Sequence, residues 1–278
     1  MNMDRPDIKV AVIDMNNGHP NQGMRCIKEI VENYITQSDL KVTYEVFDPR
    51  QHLQLPDTSF DIYISSGGPG SPYEGEGEAW EEMYFDLIRD LFLHNQLPGA
   101  DKKYIFLICY SFQLISRLFN VGKVTRRKGN SFGVFPVHKT MKGMKETLFE
   151  GLPDPFFAVD SRDWQVVQPD HQVINDMGAA ILALEKIRPL VPLERCIMAM
   201  RFSPECIGTQ FHPEADAPGM ASYFNEPKKR EAIIKEIGPL KFNNMLRQLY
   251  DPEKIALTQR MLLPGFIDQA VQKLCPVY

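Results

Sequence analysis

Apolar and polar positions along the chain alternate between two periods. Ile8-Lys9-Val10-Ala11-Val12-Ile13-Asp14 is a short apolar run stopped by the turn Asn16-Asn17-Gly18, which predicts a first strand. Residues 21–36 then place Met24, Ile27, Ile30, Val31 and Tyr34 on one helical face. Val42–Phe47 alternates like a strand and stops at Asp48-Pro49. Phe60-Asp61-Ile62-Tyr63-Ile64 predicts another strand, running into Ser65-Ser66-Gly67-Gly68-Pro69-Gly70-Ser71-Pro72. The stripe Trp80, Met83, Tyr84, Leu87, Ile88, Leu91 and Phe92 predicts a helix over 76–96. Tyr104-Ile105-Phe106-Leu107-Ile108 is continuously apolar, the pattern of a strand buried on both faces. Helical spacing resumes at Ser111, through Phe112, Leu114, Ile115, Leu118 and Phe119, and stops at Gly122.

From about 123 to 207 the pattern changes. Val124–Arg127, Gly133–Lys139, Phe156–Asp160, Ala180–Leu184 and Cys196–Phe202 read as short strands between turns, either extending a sheet or forming an antiparallel appendage. Ile207-Gly208-Thr209-Gln210-Phe211 is a last apolar strand, ending in His212-Pro213-Glu214. Residues 219–278 read as largely helical, punctuated by Pro239, Pro252 and Pro264. The early order β-α-β-β-α-β-α predicts an α/β fold, a mostly parallel sheet with helices on both faces. The expected organisation is a single domain over 1–278, with a core of about 8–215 and a helical C-terminal extension at 219–278.

Composition narrows the function. Among 278 residues, 44% are hydrophobic, which is ordinary for a packed globular core. A net charge of −5 gives no electrostatic reason to expect nucleic acid or an anionic membrane as partner. Arg126-Arg127-Lys128 is the densest basic cluster and reads as a solvated loop; Lys228-Lys229-Arg230-Glu231 reads as a solvated helix face. No run approaches the roughly 20 apolar residues of a membrane-spanning helix, and MNMDRPDIKV carries no apolar leader core. The five cysteines (26, 109, 196, 206 and 275) form no C-x-x-C pair, so a reduced, cytoplasmic protein is expected.

The candidate chemistry lies where three strands end. The runs at 60–64, 104–108 and 207–211 lead directly into SSGGPGSP, CYSFQ and HPE, and in a parallel sheet these loops share the edge where α/β folds bind ligands. Cys109 sits between a strand and a helix, near the positive first turn that favours a thiolate. His212 has the proton affinity of a base working near neutral pH. Glu214, two residues on in extended backbone, faces the same way and can orient the imidazole. The glycines at 67–70 let main-chain N–H groups approach a reacting carbonyl, and the amide of Tyr110 adds a second donor. His171, His212, Glu214 and Asp216 have no tight ligand spacing, so no metal is expected. His19 lies on the same edge, in what reads as a solvated turn.

GGPGS, C-x-S-x-Q and QFHPE, in this order and spacing, resemble the class I glutamine amidotransferase family over roughly residues 8–215. The resemblance implies a flavodoxin-like fold and cleavage of the glutamine side-chain amide, or another γ-glutamyl amide, through a thioester. It makes Cys109 the nucleophile, with His212 and Glu214 completing a triad. Gly68 and Tyr110 become the oxyanion donors, and Gly70 and Gln113 hold substrate. The segment Asp160–Trp164, including Asp163, falls where the family clamps the glutamine backbone. No cofactor is implied. Ammonia would pass to a separate synthetase subunit or be released, and homo-oligomer formation is left open. The chain departs from the family elbow G-x-C-x-G at Leu107 and Ser111, and lacks a histidine often found at 161–163. Leu107 motivates the alternative of a non-catalytic relative, a binding or regulatory subunit on the same fold.

Overall fold

The computed structural model describes residues 7–187 and 193–276, without the side chains of 228, 229, 232, 236, 237 and 241. Its elements follow in chain order. They begin β1 (Ile8–Ile13), α1 (Gln22–Gln37), β2 (Val42–Phe47), α2 (Pro49–His52), β3 (Ile62–Ser65), α3 (Ala79–Gln96), β4 (Tyr104–Ile108) and α4 (Tyr110–Leu118). The middle holds β5 (Lys123–Lys139), β6 (Phe156–Val167), α5 (His171–Asp176), β7 (Ala180–Glu185), β8 (Ile197–Ser203) and β9 (Cys206–Thr209). Four helices close the chain: α6 (Ala217–Asn225), α7 (Pro227–Ile237), α8 (Pro239–Leu249) and α9 (Ile255–Leu274).

The nine strands of the described residues join one sheet in the order β2-β1-β3-β4-β9-β8-β7-β5-β6. The half from β2 to β9 is parallel, and every pairing from β9 to β6 is antiparallel. The expected mostly parallel sheet is therefore corrected to a mixed one. The short strands of the middle extend the sheet itself: β5 returns directly on β6, β7 on β8 and β8 on β9 as antiparallel neighbours, while α5 carries the chain from β6 past β5 to β7. The two expected strands at 124–127 and 133–139 are a single strand, β5, irregular between Arg126 and Ser131. Its basic cluster is not a loop: Arg127 points inward and pairs with Glu185 at 2.9 Å. The sheet also curls, because the His212 N–H donates to the Val159 carbonyl at 2.8 Å and brings the end of β9 against β6.

Period-two alternation along the parallel strands separates two cores. Val10, Val12, Ile62, Ile64, Phe106 and Ile108 face α1 and α9; Ala11, Ile13, Tyr63, Ile105 and Leu107 face α3 and α4. Helices thus cover both faces of the parallel half. The helical stripe of α3 is as expected at Trp80, Tyr84, Leu87, Ile88 and Leu91, whereas Met83 is exposed and Glu81 is buried against Arg117. The final helix belongs to the first core. Leu262, Leu263, Phe266 and Ile267 are buried there, Phe266 lies edge-on to Phe106, and α9 continues past Pro264 as one helix. Helices α6 to α8 form a third cluster over β5 and β6, built on Phe224, Phe242, Met245 and Leu249. The side chains of Lys228 and Lys229, read above as a solvated helix face, lie outside the described residues.

Candidate active site

Because β1, β2, β3, β4 and β9 are mutually parallel, their C-terminal loops emerge along one edge. Cys109 follows β4 and opens α4. It has φ 48° and ψ −94°, a strained backbone for a residue with a side chain. The strain is held by hydrogen bonds on both sides: the Cys109 N–H donates to Thr209 O at 2.7 Å, and the Gln113 N–H donates to Cys109 O at 3.0 Å. This sharp strand-to-helix turn presents the sulfur at the edge of the sheet.

His212 and Glu214 come from the end of β9. The imidazole Nδ1 lies 2.8 Å from Glu214 Oε1, and Glu214 is buried. Burial by itself disfavours the His212 cation. The Glu214 carboxylate and the Cys109 sulfur outweigh it, so the His212 pKa stands well above its usual value. Behind Glu214 lies the start of α1, where a side chain at Gly23 would meet Glu214 Oε1 at 2.9 Å.

The glycine loop after β3 threads between these groups. A Cβ on Gly67 would stand 2.8 Å from His212 Cε1 and 3.5 Å from the Cys109 Cβ; one on Gly68 would stand 2.3 Å from the Met15 carbonyl oxygen. Both positions demand glycine by proximity alone. Gly70 is exposed further along, with φ +99°. Tyr110, next to the nucleophile, is buried, its hydroxyl donating to Ser71 O at 3.3 Å.

Two residues that differ from the family elbow have local explanations. Ser111 is fully buried and joins helix to loop: its Oγ lies 2.7 Å from Ser65 Oγ and donates to Ser66 O at 2.7 Å, while Tyr84 donates to Ser65 Oγ at 3.0 Å. Leu107 is the register partner of Gly208 on β9, so its bulk meets no side chain on that neighbour.

The proposed substrate-holding residues are spread more widely. Gln113 is buried one turn into α4. On β6 the Ser161 carbonyl faces the nucleophile, 3.8 Å from Cys109 Sγ. Asp163 is exposed two residues further on and accepts from Asn130 Nδ2 at 3.1 Å. The backbone between them is braced by Arg162, which is buried and pairs with Asp160 at 2.7 Å while donating to Trp164 O at 3.0 Å. Of the residues considered as metal ligands, Asp216 caps α6 and pairs with Arg25 at 2.7 Å, and His171 is exposed at the start of α5. His19 is exposed.

Sequence reasoning missed Arg50. Its guanidinium lies over the rings of Trp80 and Tyr110, donates to Met15 O at 2.8 Å and Pro69 O at 2.9 Å, and pairs with Glu74. It ties the β1 and β3 loops together beneath the glycines. A signal was available: Asp48-Pro49-Arg50 follows a parallel strand and so falls on the same edge. Gln210, at the start of QFHPE, was also passed over. It is fully buried, with Nε2 at 3.7 Å from Cys109 Sγ.

Residues 24–225 match the family model for class-I glutamine amidotransferases, and the chain belongs to that family. Among solved structures, a glutamine amidotransferase from Thermotoga maritima matches with TM-score 0.65 and 18% identity, over 97% of this chain and 99% of its own. A glutamine amidotransferase from Methylobacillus flagellatus matches with TM-score 0.67 and 15% identity, over 95% and 94%. The glutaminase domain of a Trypanosoma brucei CTPS, solved with bound acivicin, matches with TM-score 0.53 and 13% identity, over 74% and 86%. No curated protein matches the sequence. Among the described residues, no helix is long and apolar enough to cross a membrane.

Proposed function

We propose that the protein hydrolyses a γ-carboxamide, that of glutamine or a related γ-glutamyl amide, through a thioester on Cys109. His212 takes the thiol proton and the sulfur attacks the amide carbon. As the C–S bond forms, the carbonyl electron pair moves to oxygen, which the main-chain N–H groups of Gly68 and Tyr110 receive. His212 then returns the proton to the nitrogen; the C–N bond breaks and ammonia or the amine leaves. A water molecule, deprotonated by His212, cleaves the thioester to release the free carboxylate and the thiol. Glu214 holds the imidazole tautomer and favours its cation in both halves. Gly70, Gln113 and Asp163 are assigned to the substrate. Ammonia is released or passes to an acceptor protein.

The observation that carries this reading is the meeting of a strained Cys109 with a Glu214-oriented His212 around Gly67. Membership in the class-I amidotransferase family supports it. Leu107, the motive for a non-catalytic alternative, is matched by Gly208 and leaves the elbow with the backbone angles of a nucleophile turn. The test follows ammonia release from glutamine over many turnovers, parent against Cys109→Ala, alongside labelling by a diazoketone glutamine analogue. Release that depends on Cys109 is expected. Release unchanged in Cys109→Ala, or no labelling of Cys109 by the analogue, overturns the reading.

A further inference from the structure

Gln210 is buried at the end of β9 with its side chain committed to almost nothing structural. Its main-chain N–H continues the sheet, donating to Met198 O at 2.8 Å. In the side chain, Nε2 reaches Cys109 Sγ at 3.7 Å, and among the described residues no group bonds Oε1. A buried amide left half unsatisfied is costly relative to an apolar side chain of the same shape. Packing alone would favour the apolar residue. The polar end is therefore informative, and the atom it addresses is the nucleophile.

The sulfur has a second polar neighbour, the Ser161 carbonyl at 3.8 Å. The two serve opposite protonation states. A carbonyl accepts from S–H and can do nothing for a thiolate; an amide N–H donates to a thiolate. We propose that Gln210 is a catalytic residue of the Cys109 site: its amide N–H stabilises the thiolate that forms when His212 takes the proton, while the Ser161 carbonyl holds the thiol. This rests on Cys109 being the nucleophile. The thiolate then has two donors, the His212 imidazolium and a neutral amide whose support does not change with pH.

The charged and titratable groups on the elements against the sulfur are few. His212, with Glu214 behind it, comes from β9; Asp160 and Arg162 flank Ser161 on β6 and are paired with each other. On α4, Tyr110 is adjacent, its hydroxyl turned to Ser71 O. Gln210 is the neutral polar side chain among them with an N–H within hydrogen-bond range of Sγ.

The test is the pH dependence of Cys109 alkylation by iodoacetamide, which needs no amidase turnover. Parent, Gln210→Met and Gln210→Glu are compared, with Cys109→Ala as the blank. Loss of the N–H donor in Gln210→Met moves the alkylation midpoint to higher pH and slows alkylation about tenfold below it, with the high-pH plateau unchanged. Gln210→Glu, which keeps the shape and places a carboxylate beside the sulfur, moves it further the same way. A midpoint in Gln210→Met and Gln210→Glu that superimposes on the parent's overturns the proposal. Folding of each variant is checked by its urea midpoint, and Gln210→Glu supplies the isosteric case should the methionine disturb packing. Failure of the amidase reading would show instead as absent ammonia release with these alkylation shifts intact.

Discussion

Leu107 on β4 and Gly208 on β9 are register partners, and the glycine leaves room beside the leucine for the rings of Phe112 and Phe202. A Cβ on Gly208 would lie 3.4 Å from the Leu107 Cβ, but 2.7 Å from Phe112 Cδ2 and 3.1 Å from Phe202 Cε2. The two rings, 6.0 Å apart, already fill the space that a side chain at 208 would need.

Gly208→Ala should overpack this site and destabilise the protein by about 1–3 kcal/mol in urea unfolding. Phe112 lies on the elbow helix three residues after Cys109, so Cys109 labelling should slow as well. In a Leu107→Ala background the same substitution should cost measurably less, because the vacated volume takes up the displaced rings. A double-mutant cycle returning strictly additive effects would remove the coupling argued here.

Gly67 separates His212 from the rest of the loop by less than a methyl group. With a Cβ 2.8 Å from His212 Cε1, Gly67→Ala forces the imidazole to move while leaving Glu214 and Cys109 in place. A displacement of about 1 Å in such a group costs roughly 10²-fold in rate. We expect ammonia release to fall by about that factor with the urea midpoint nearly unchanged. Activity kept near the parent level would mean that His212 does not work from the position described.

Arg50 ties Met15, Pro69 and Glu74 together beneath the glycine loop. Arg50→Met retains the stem over Trp80 and Tyr110 and removes the donors. Two carbonyls then lose charged partners, and stability should drop by about 1–3 kcal/mol. If the loop carries the Gly68 donor, kcat should fall more than KM rises, because an oxyanion donor acts in the transition state. An effect on KM alone would place Arg50 in substrate binding rather than in loop support.

What could be read from the chain follows the strength of its local periods. β1 to β4, α1 and α4 were legible because each is a run of apolar residues on one period, ended by a turn or a glycine. Cys109, His212 and the glycine loop were legible for the same reason, each lying just past a strand. The antiparallel half was not: in β5, Arg126, Arg127 and Lys128 mimic a loop, and the inward position of Arg127 is set by partners far along the chain, Gln165 and Glu185. α9 read as an extension because nothing local announces that Phe266 will meet Phe106. Arg50 and Gln210 act through tertiary contacts with residues far along the chain, so their spacing carries little of their role.

Glu214 should set the proton affinity of His212. Burial opposes the imidazolium, and the Glu214 carboxylate and Cys109 more than compensate, leaving the folded-state pKa well above the usual value near 6.5. A histidine raised in this way contributes stability that is fully present below about pH 6.5 and is lost as pH rises through the folded pKa. Glu214→Gln keeps a hydrogen-bond acceptor and removes the charge. In that variant the His212 ring-proton resonance should titrate at clearly lower pH than in the parent. The parent's advantage in urea midpoint over the variant should be greatest near pH 6 and shrink at higher pH as the parent's His212 deprotonates. A parent His212 that titrates near 6.5, or a midpoint difference that grows with pH, would mean that Glu214 orients the ring without stabilising its cation.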